Sequence, residues 1–291
     1  MLNRKGKTVV LMVIRQTEKG IEIDGLKELS LEETLDCGQC FRWKQSEDGS
    51  WQGIVKEKVG NVLQTDRGIL FLNTTMEDFQ NVWYGYFDLD RDYRALQDSF
   101  SADTILRNAC SFAPGIRILC QDPWEAFITF IISQNNNIRR IKGIVERLCR
   151  AFGEEISSGQ FAFPIPEKLA LASEEDLKEL GCGYRAIYIK NAAKEVFLGK
   201  LDLNALKEKS TQEAKERLMK VLGVGSKVAD CILLYGLGKM DCCPMDVWMK
   251  RIVQSFGGKL PDCVSEYAGI AQQYLFHYAR NFPEKFVEDK K

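Results

Sequence analysis

The stretch LGVGSKVADC, residues 222–231, decides how this chain is read. Glycines at 223 and 225 bracket Val224, and from Ser226 onward the letters suit a helix. Lys227 then falls in that helix's first turn, where unpaired amides already leave partial positive charge. A cation is misplaced there on electrostatic grounds, so stability alone does not account for it. Residues 211–222 also carry helical spacing, so two helices meet at a sharp glycine turn.

A turn of this kind can do two things. Glycines let the backbone bend and let another backbone approach closely, and successive N–H groups form a nest for an anion such as a DNA phosphate. Such contacts position a protein without reading sequence. The same letters also suit an ordinary αα-hairpin whose glycines close a helix. Lys227 tips the reading toward chemistry. Burial and the positive end of a helix both disfavour an ammonium, a poor arrangement for stability and a good one for a nucleophilic amine. The ordinary fate of a lysine, pointing into water, is the alternative.

Other residues gather around it. Asp246 in CCPMDVW precedes an apolar helical pattern, where an aspartate serves as N-cap, and the same placement could aim a carboxylate into a cleft. Cys231 lies one helical turn beyond Lys227, and Gln272 and Phe276 share the same i, i+4 spacing. Taken singly, these read as a buried thiol, a capped amide and a core ring.

The length of 291 residues suits one large or two ordinary domains, and 45% hydrophobic with 28% charged residues describes a chain that buries a core. The first third reads as β-rich. TVVLMVIR, GIEIDGL, SWQGIVKE, KVGNVLQT and RGILFLN are short Val/Ile/Leu runs broken by EDGS and TDRG, which predicts an antiparallel meander. Helical spacing takes over from about residue 75. Asp122-Pro123 is an N-cap followed by proline at N1, after which Trp124, Phe127, Ile128 and Ile131 mark a buried face. SQNNN interrupts. The next helix turns Ile138, Ile141, Val145, Leu148 and Phe152 inward and leaves Arg139, Arg140, Lys142, Arg147 and Arg150 on other faces. Further helices are expected at 173–180, 184–198, 211–222, 227–236, 247–256 and 265–280, and the tail EKFVEDKK is expected to fray. The fold class is α+β: residues 1–122 form an N-terminal antiparallel β-sheet domain, and residues 123–291 a mainly helical domain.

Composition also excludes. No apolar run reaches membrane-span length, and the patch Val9–Ile14 after the basic start is too short for a signal peptide and reads as a strand. Ten cysteines are scattered without a disulfide framework, which points to a reducing cytosol. His277 is the single histidine, and Cys37-Gly-Gln-Cys40 the single C-x-x-C, so neither a metal nor another cofactor is expected. A net charge of −1 speaks against a nucleic-acid protein, yet residues 131–260 carry a basic surplus that the rest of the chain offsets.

Taken together, NNNIRRIKGIVERLCRAFG, GCGYRA, LGVGSKVADCI, PMDV, YAGIAQQYLF and CGQCFRW resemble, in order and over roughly residues 20–282, the 8-oxoguanine DNA glycosylases of the helix-hairpin-helix superfamily. The hairpin lysine and later aspartate recur across several glycosylase lineages, whereas the NNN, GYRA and AQxxLF segments belong to this branch. The resemblance implies a bifunctional DNA glycosylase and AP lyase: a hydrolase of base excision repair that flips out and excises 8-oxoguanine opposite cytosine, then cuts the strand by β-elimination. It casts Lys227 as the nucleophile and Asp246 as the catalytic carboxylate. Gly38 would offer a carbonyl to the N7–H of the lesion, Cys231 and Phe276 would sandwich the base, and Gln272 would pair with its Watson–Crick edge. Asn135 matches the plug of the vacated stack, Arg140 and Arg185 the pair gripping the opposite cytosine, and Tyr184 the wedge beside it. Gly223 and Gly225 match the phosphate-binding hairpin. Trp248 stands where the family often has a phosphate-holding histidine, and tryptophan offers one N–H without charge. Cys37 and Cys40 replace small residues around Gly38. The implied partner is duplex DNA containing 8-oxoguanine, met by a monomer with no membrane attachment, in the cytoplasm: nucleoid-associated in a bacterium, nuclear in a eukaryote. Two competing readings remain: a non-catalytic DNA-binding module, and a glycosylase for an oxidised pyrimidine or alkylated purine.

Overall fold

The computed structural model describes residues 12–286. Six antiparallel strands form the N-terminal sheet: β1 Val13–Thr17, β2 Gly20–Asp24, β3 Trp43–Gln45, β4 Trp51–Val55, β5 Lys58–Thr65 and β6 Gly68–Leu72. Their order across the sheet is β1-β2-β6-β5-β4-β3, so β2 pairs with β6 and the meander folds back on itself. Of the strand expected over TVVLMVIR, the part before residue 12 lies outside the described residues. Registers Ile21↔Phe71, Ile23↔Ile69 and Val62↔Phe71 align buried side chains on one face. An aromatic cluster of Trp43, Trp83, Tyr86 and Phe87 covers it, edge to face at 5.3–6.3 Å. The buried Trp43 Nε1–H donates to the Tyr86 hydroxyl at 2.8 Å, so burial strands no donor.

The helices that follow form a second core. Asp122 caps the helix Pro123–Ile132, its Oδ1 accepting from the amides of Trp124 and Glu125 at 2.9 and 3.0 Å. From Ala126 to Ile132 every residue of this helix is buried, so the four-residue stripe read from spacing understates it: the helix is apolar all round and sits centrally. Each of Phe127, Ile128 and Ile131 contributes about 1.5–3 kcal/mol by burial. The helix Ile138–Phe152 buries Ile141, Ile144, Val145, Leu148 and Cys149, with Ile138 and Phe152 half-buried at its ends. Lys142 leaves its helix to pair with Asp36 of the sheet lobe at 3.1 Å. Two helices that sequence spacing did not delimit, Tyr93–Phe100 and Thr104–Phe112, pack into this helical core, where the terminal helix Ala268–Asn281 meets the second of them. Of the closing EKFVEDKK, residues 287–291 lie outside the described residues. Pro283–Phe286 forms a 3₁₀ turn with Phe286 buried, which corrects the expectation of fraying for residues 284–286.

The lobes are joined by polar ties. Arg42 and Glu125 form a nearly buried ion pair at 3.2 Å, and burial raises the Glu125 carboxyl against the pull of that arginine. Gln39, fully buried, donates to the carbonyls of Thr34 and Arg117 at 2.9 and 2.7 Å and accepts from the Leu119 amide at 2.9 Å. These Gln39 bonds stay within residues 1–122 and fix the turn that carries Gly38 against Thr34, Arg117 and Leu119.

Candidate active site

The hairpin begins with a helix, Thr211–Leu218, started by a reciprocal cap between Ser210 and Glu213. At the turn Gly223 has φ +83°, and a Cβ there would lie 2.3 Å from the Tyr188 ring. Only glycine fits. Gly225, in extended backbone with open space around it, caps the helix Ser226–Cys231, whose first amides receive no side-chain cap. That helix runs on as a π turn, Ile232–Gly236. Lys215 reaches the buried Asp230 at 2.7 Å and ties the two helices together. Burial raises the Asp230 carboxyl more than its lysine lowers it.

Lys227 is half-buried, with Nζ 5.9 Å from the centre of the Phe130 ring. Its ammonium lowers the Cys231 thiol, though burial dominates and leaves that thiol raised. Among the described residues Lys227 forms no ion pair. Asp246 caps the helix Val247–Ser255, Oδ1 accepting from the Met249 amide at 2.8 Å, which leaves Oδ2 for the cleft.

Six of the expected residues line one narrow cleft of about 50 Å³: Gly38, Lys227, Cys231, Asp246, Gln272 and Phe276. Gly38 comes from the sheet lobe, with φ +90°. Gln272 is 4% exposed and its Oε1 has no hydrogen-bond partner among the described residues. An orphaned buried acceptor costs about 1–3 kcal/mol, so a native one calls for an explanation. Among the described residues Asp246 is the only carboxylate lining the cleft. Sequence reasoning missed Cys37, Phe130, Tyr235, Pro244 and Gln273, which complete the lining. Tyr235 had a signal, being one turn beyond Cys231. Gln273 had none, since helical spacing puts it off the Gln272 face.

A second, shallow groove gathers Asn135, Tyr184, Gly223 and Gly225 with Tyr188 and Leu222. Asn135 stands in left-handed backbone, φ +47°, which asparagine tolerates better than most residues. Its Nδ2 donates to the Tyr184 hydroxyl at 3.3 Å. Tyr184 is half exposed and edge-on to Tyr188. Arg140 is exposed and forms no ion pair among the described residues. Arg185 departs from expectation. It is buried, its guanidinium donating to the carbonyls of Gln134 at 2.8 Å, Asn135 at 3.1 Å and Cys182 at 3.4 Å while lying over the Tyr184 ring. As placed here it holds the Asn135 loop. Trp248 is half-buried against the helical core, with Arg251 over its ring at 5.4 Å, and lines neither groove.

Comparison with known proteins identifies the family. Residues 23–127 match the family described as 8-oxoguanine DNA glycosylase, N-terminal domain, and residues 128–266 the HhH-GPD superfamily base excision DNA repair protein. The chain is 34% identical over 256 residues to the N-glycosylase/DNA lyase of Saccharomyces cerevisiae, covering 78% of this chain and 68% of that protein. Among solved structures, MBOgg1 in complex with a low-affinity DNA ligand superposes with TM-score 0.88 at 40% identity, over 94% of this chain and 99% of that one. The Clostridium acetobutylicum 8-oxoguanine glycosylase/lyase, bound to duplex DNA with cytosine opposite 8-oxoG, gives TM-score 0.88 at 36% identity, over 94% and 100%. The chain therefore belongs to the 8-oxoguanine DNA glycosylase family, within the HhH-GPD superfamily of base excision repair proteins.

Proposed function

We propose that this protein excises 8-oxoguanine from duplex DNA and then cuts the strand at the resulting site. The observation that carries the reading is the convergence on one cleft of a lysine that forms no ion pair, one carboxylate and a buried amide oxygen without a hydrogen-bond partner, all among the described residues. The Watson–Crick edge of an oxidised guanine offers N–H donors, which is what the orphaned Gln272 Oε1 lacks. Base binding relieves a cost that the free protein carries.

In the reaction, Lys227 Nζ gives up a proton and attacks C1′ of the flipped nucleotide. The C1′–N9 bond breaks and its electron pair leaves with the base, which takes up a proton. Opening of the sugar converts the amine adduct to a Schiff base, and loss of a C2′ proton expels the 3′ phosphate by β-elimination. Asp246 Oδ2 stabilises positive charge developing on the sugar and receives the lysine proton. The Gly38 carbonyl accepts the N7–H of 8-oxoguanine and repels the N7 lone pair of guanine. Cys231 and Phe276 hold the base between them. Asn135 fills the vacated stack with Tyr184 beside it, Arg140 reads the opposite cytosine, and the open turn at Gly223–Gly225 takes a backbone phosphate. A DNA repair glycosylase works where the DNA is, in nucleoid or nucleus. We assign this one to a reducing cytoplasm, at the nucleoid if the cell is bacterial and in the nucleus if it is eukaryotic.

Borohydride trapping on a duplex with 8-oxoguanine opposite cytosine tests the reading. Wild type should give a covalent adduct and Lys227→Gln none, while still binding lesion DNA. Excision retained by Lys227→Gln would remove the amine from the mechanism. Faster excision of an oxidised pyrimidine or alkylated purine in the same duplex would move the substrate elsewhere.

A further inference from the structure

Two cleft residues with no part in the reaction above, Tyr235 and Gln273, form a hydrogen-bonded chain that ends beside Gly38. The Tyr235 hydroxyl donates to Gln273 Oε1 at 2.5 Å, and Gln273 Nε2 donates to the Cys37 carbonyl at 3.2 Å. Chemistry dictates the order. A peptide carbonyl only accepts, so the amide nitrogen faces Cys37, the amide oxygen faces Tyr235, and the hydroxyl must donate. Both side chains are buried. Tyr235 is itself held, stacked on Phe130 at 5.1 Å with 17° between the rings, and its carbonyl accepts from the Gln121 amide at 2.9 Å. Gln121 in turn donates its side-chain amide to the Gln39 carbonyl at 2.6 Å. The carbonyls on either side of Gly38 are therefore gripped, one by Gln273 and the other by Gln121. Gly38 has no side chain by which it could be held, so its neighbours set its place.

Selectivity by a carbonyl requires that the carbonyl stay put. A mobile one would retreat from the lone pair of guanine, and the repulsion that rejects the normal base would be lost. We infer that Tyr235 and Gln273 are positioning residues for lesion selectivity, which hold the Cys37–Gly38 peptide where it can discriminate N7–H from a bare N7. The inference rests on the role of Gly38 proposed above.

Gln273→Met removes the donor at similar volume, and Tyr235→Phe removes one hydroxyl. The assay pairs single-turnover excision of 8-oxoguanine with strand cleavage at a preformed abasic site, which needs Lys227 but no base. Each variant should lose about tenfold or more in excision, as small misplacements of reacting geometry do, with abasic cleavage unchanged. In a Lys227→Gln background, the binding preference for a lesion duplex over an undamaged one should shrink by a similar factor. The double variant should be no worse than Gln273→Met alone, because the two residues act through one chain. Loss of excision and abasic cleavage together would mark the chain as merely structural, and no loss of either would mark it as idle; both outcomes overturn the inference. Failure of wild type to excise 8-oxoguanine, seen before any variant is made, would overturn the substrate reading itself.

Discussion

Replacing Arg185 by alanine separates two roles for this residue. Its guanidinium makes bonds to three backbone carbonyls, those of Gln134, Asn135 and Cys182, at a site 3% exposed. A hydrogen bond from a charged donor is worth about 1.5–3 kcal/mol net, and bonds from one group do not add in full. Loss of the set, leaving buried acceptors unpaired, should cost on the order of 3–5 kcal/mol. For a chain of this size that is a fall in melting temperature of roughly 10 °C. Asn135 also loses the bond on its carbonyl. Left-handed backbone costs a non-glycine residue about 1–2 kcal/mol, so the loop should relax once that bond is gone. Excision by Arg185→Ala should then fall opposite all four bases alike, since the plug is misplaced whatever lies across from it. Arg185→Lys should recover little, because one ammonium cannot span three carbonyls. The assays are thermal unfolding and single-turnover excision from duplexes differing only in the opposite base. An unchanged melting temperature, with excision lost opposite cytosine alone, would refute the argument and return Arg185 to the reader's role.

Asp246→Asn keeps an N-cap for the Met249 amide, so unfolding should shift by less than about 0.5 kcal/mol while excision falls about a hundredfold or more; equal losses in both would make Asp246 a cap and nothing else. Gly223→Ala puts a methyl group into the Tyr188 ring at a positive φ, so it should lower stability by about 1–3 kcal/mol and weaken binding to undamaged duplex, measured by denaturant unfolding and a salt titration of affinity. Burial pushes the thiols of Cys37 and Cys182 from 9.0 up to about 11, so they stay protonated in the folded chain while unfolded thiols ionise. The unfolded state then binds fewer protons, and stability should fall as pH rises from about 9 to 11. Cys182→Ala should flatten part of that fall in melting temperature, and an identical pH profile would argue against the burial reading.

Much of the fold was legible because the signals are local. Asp122-Pro123 names a helix start by the chemistry of its first amides, and the strands announce themselves by β-branched runs between turn letters. Spacing also put Cys231 on the face of Lys227 and Phe276 on the face of Gln272, which are the faces that line the cleft. Sequence spacing set the lobe division at residue 122, where that helix begins. It could not say that the helices Tyr93–Phe100 and Thr104–Phe112 bury into the helical core, because a buried stripe does not name the surface it will meet.

By itself the sequence determined the glycine turn, the lysine at the head of its helix and the aspartate at the head of the next, since each depends only on residues within a turn or two of itself. The tertiary structure alone decided that Gly38 crosses from the sheet lobe to face that lysine, that Gln272 is left with an unpaired oxygen, and that Arg185 turns inward onto the Asn135 loop. Those depend on which backbone carbonyls and side chains lie within hydrogen-bonding reach after both cores have packed. No local pattern encodes that distance.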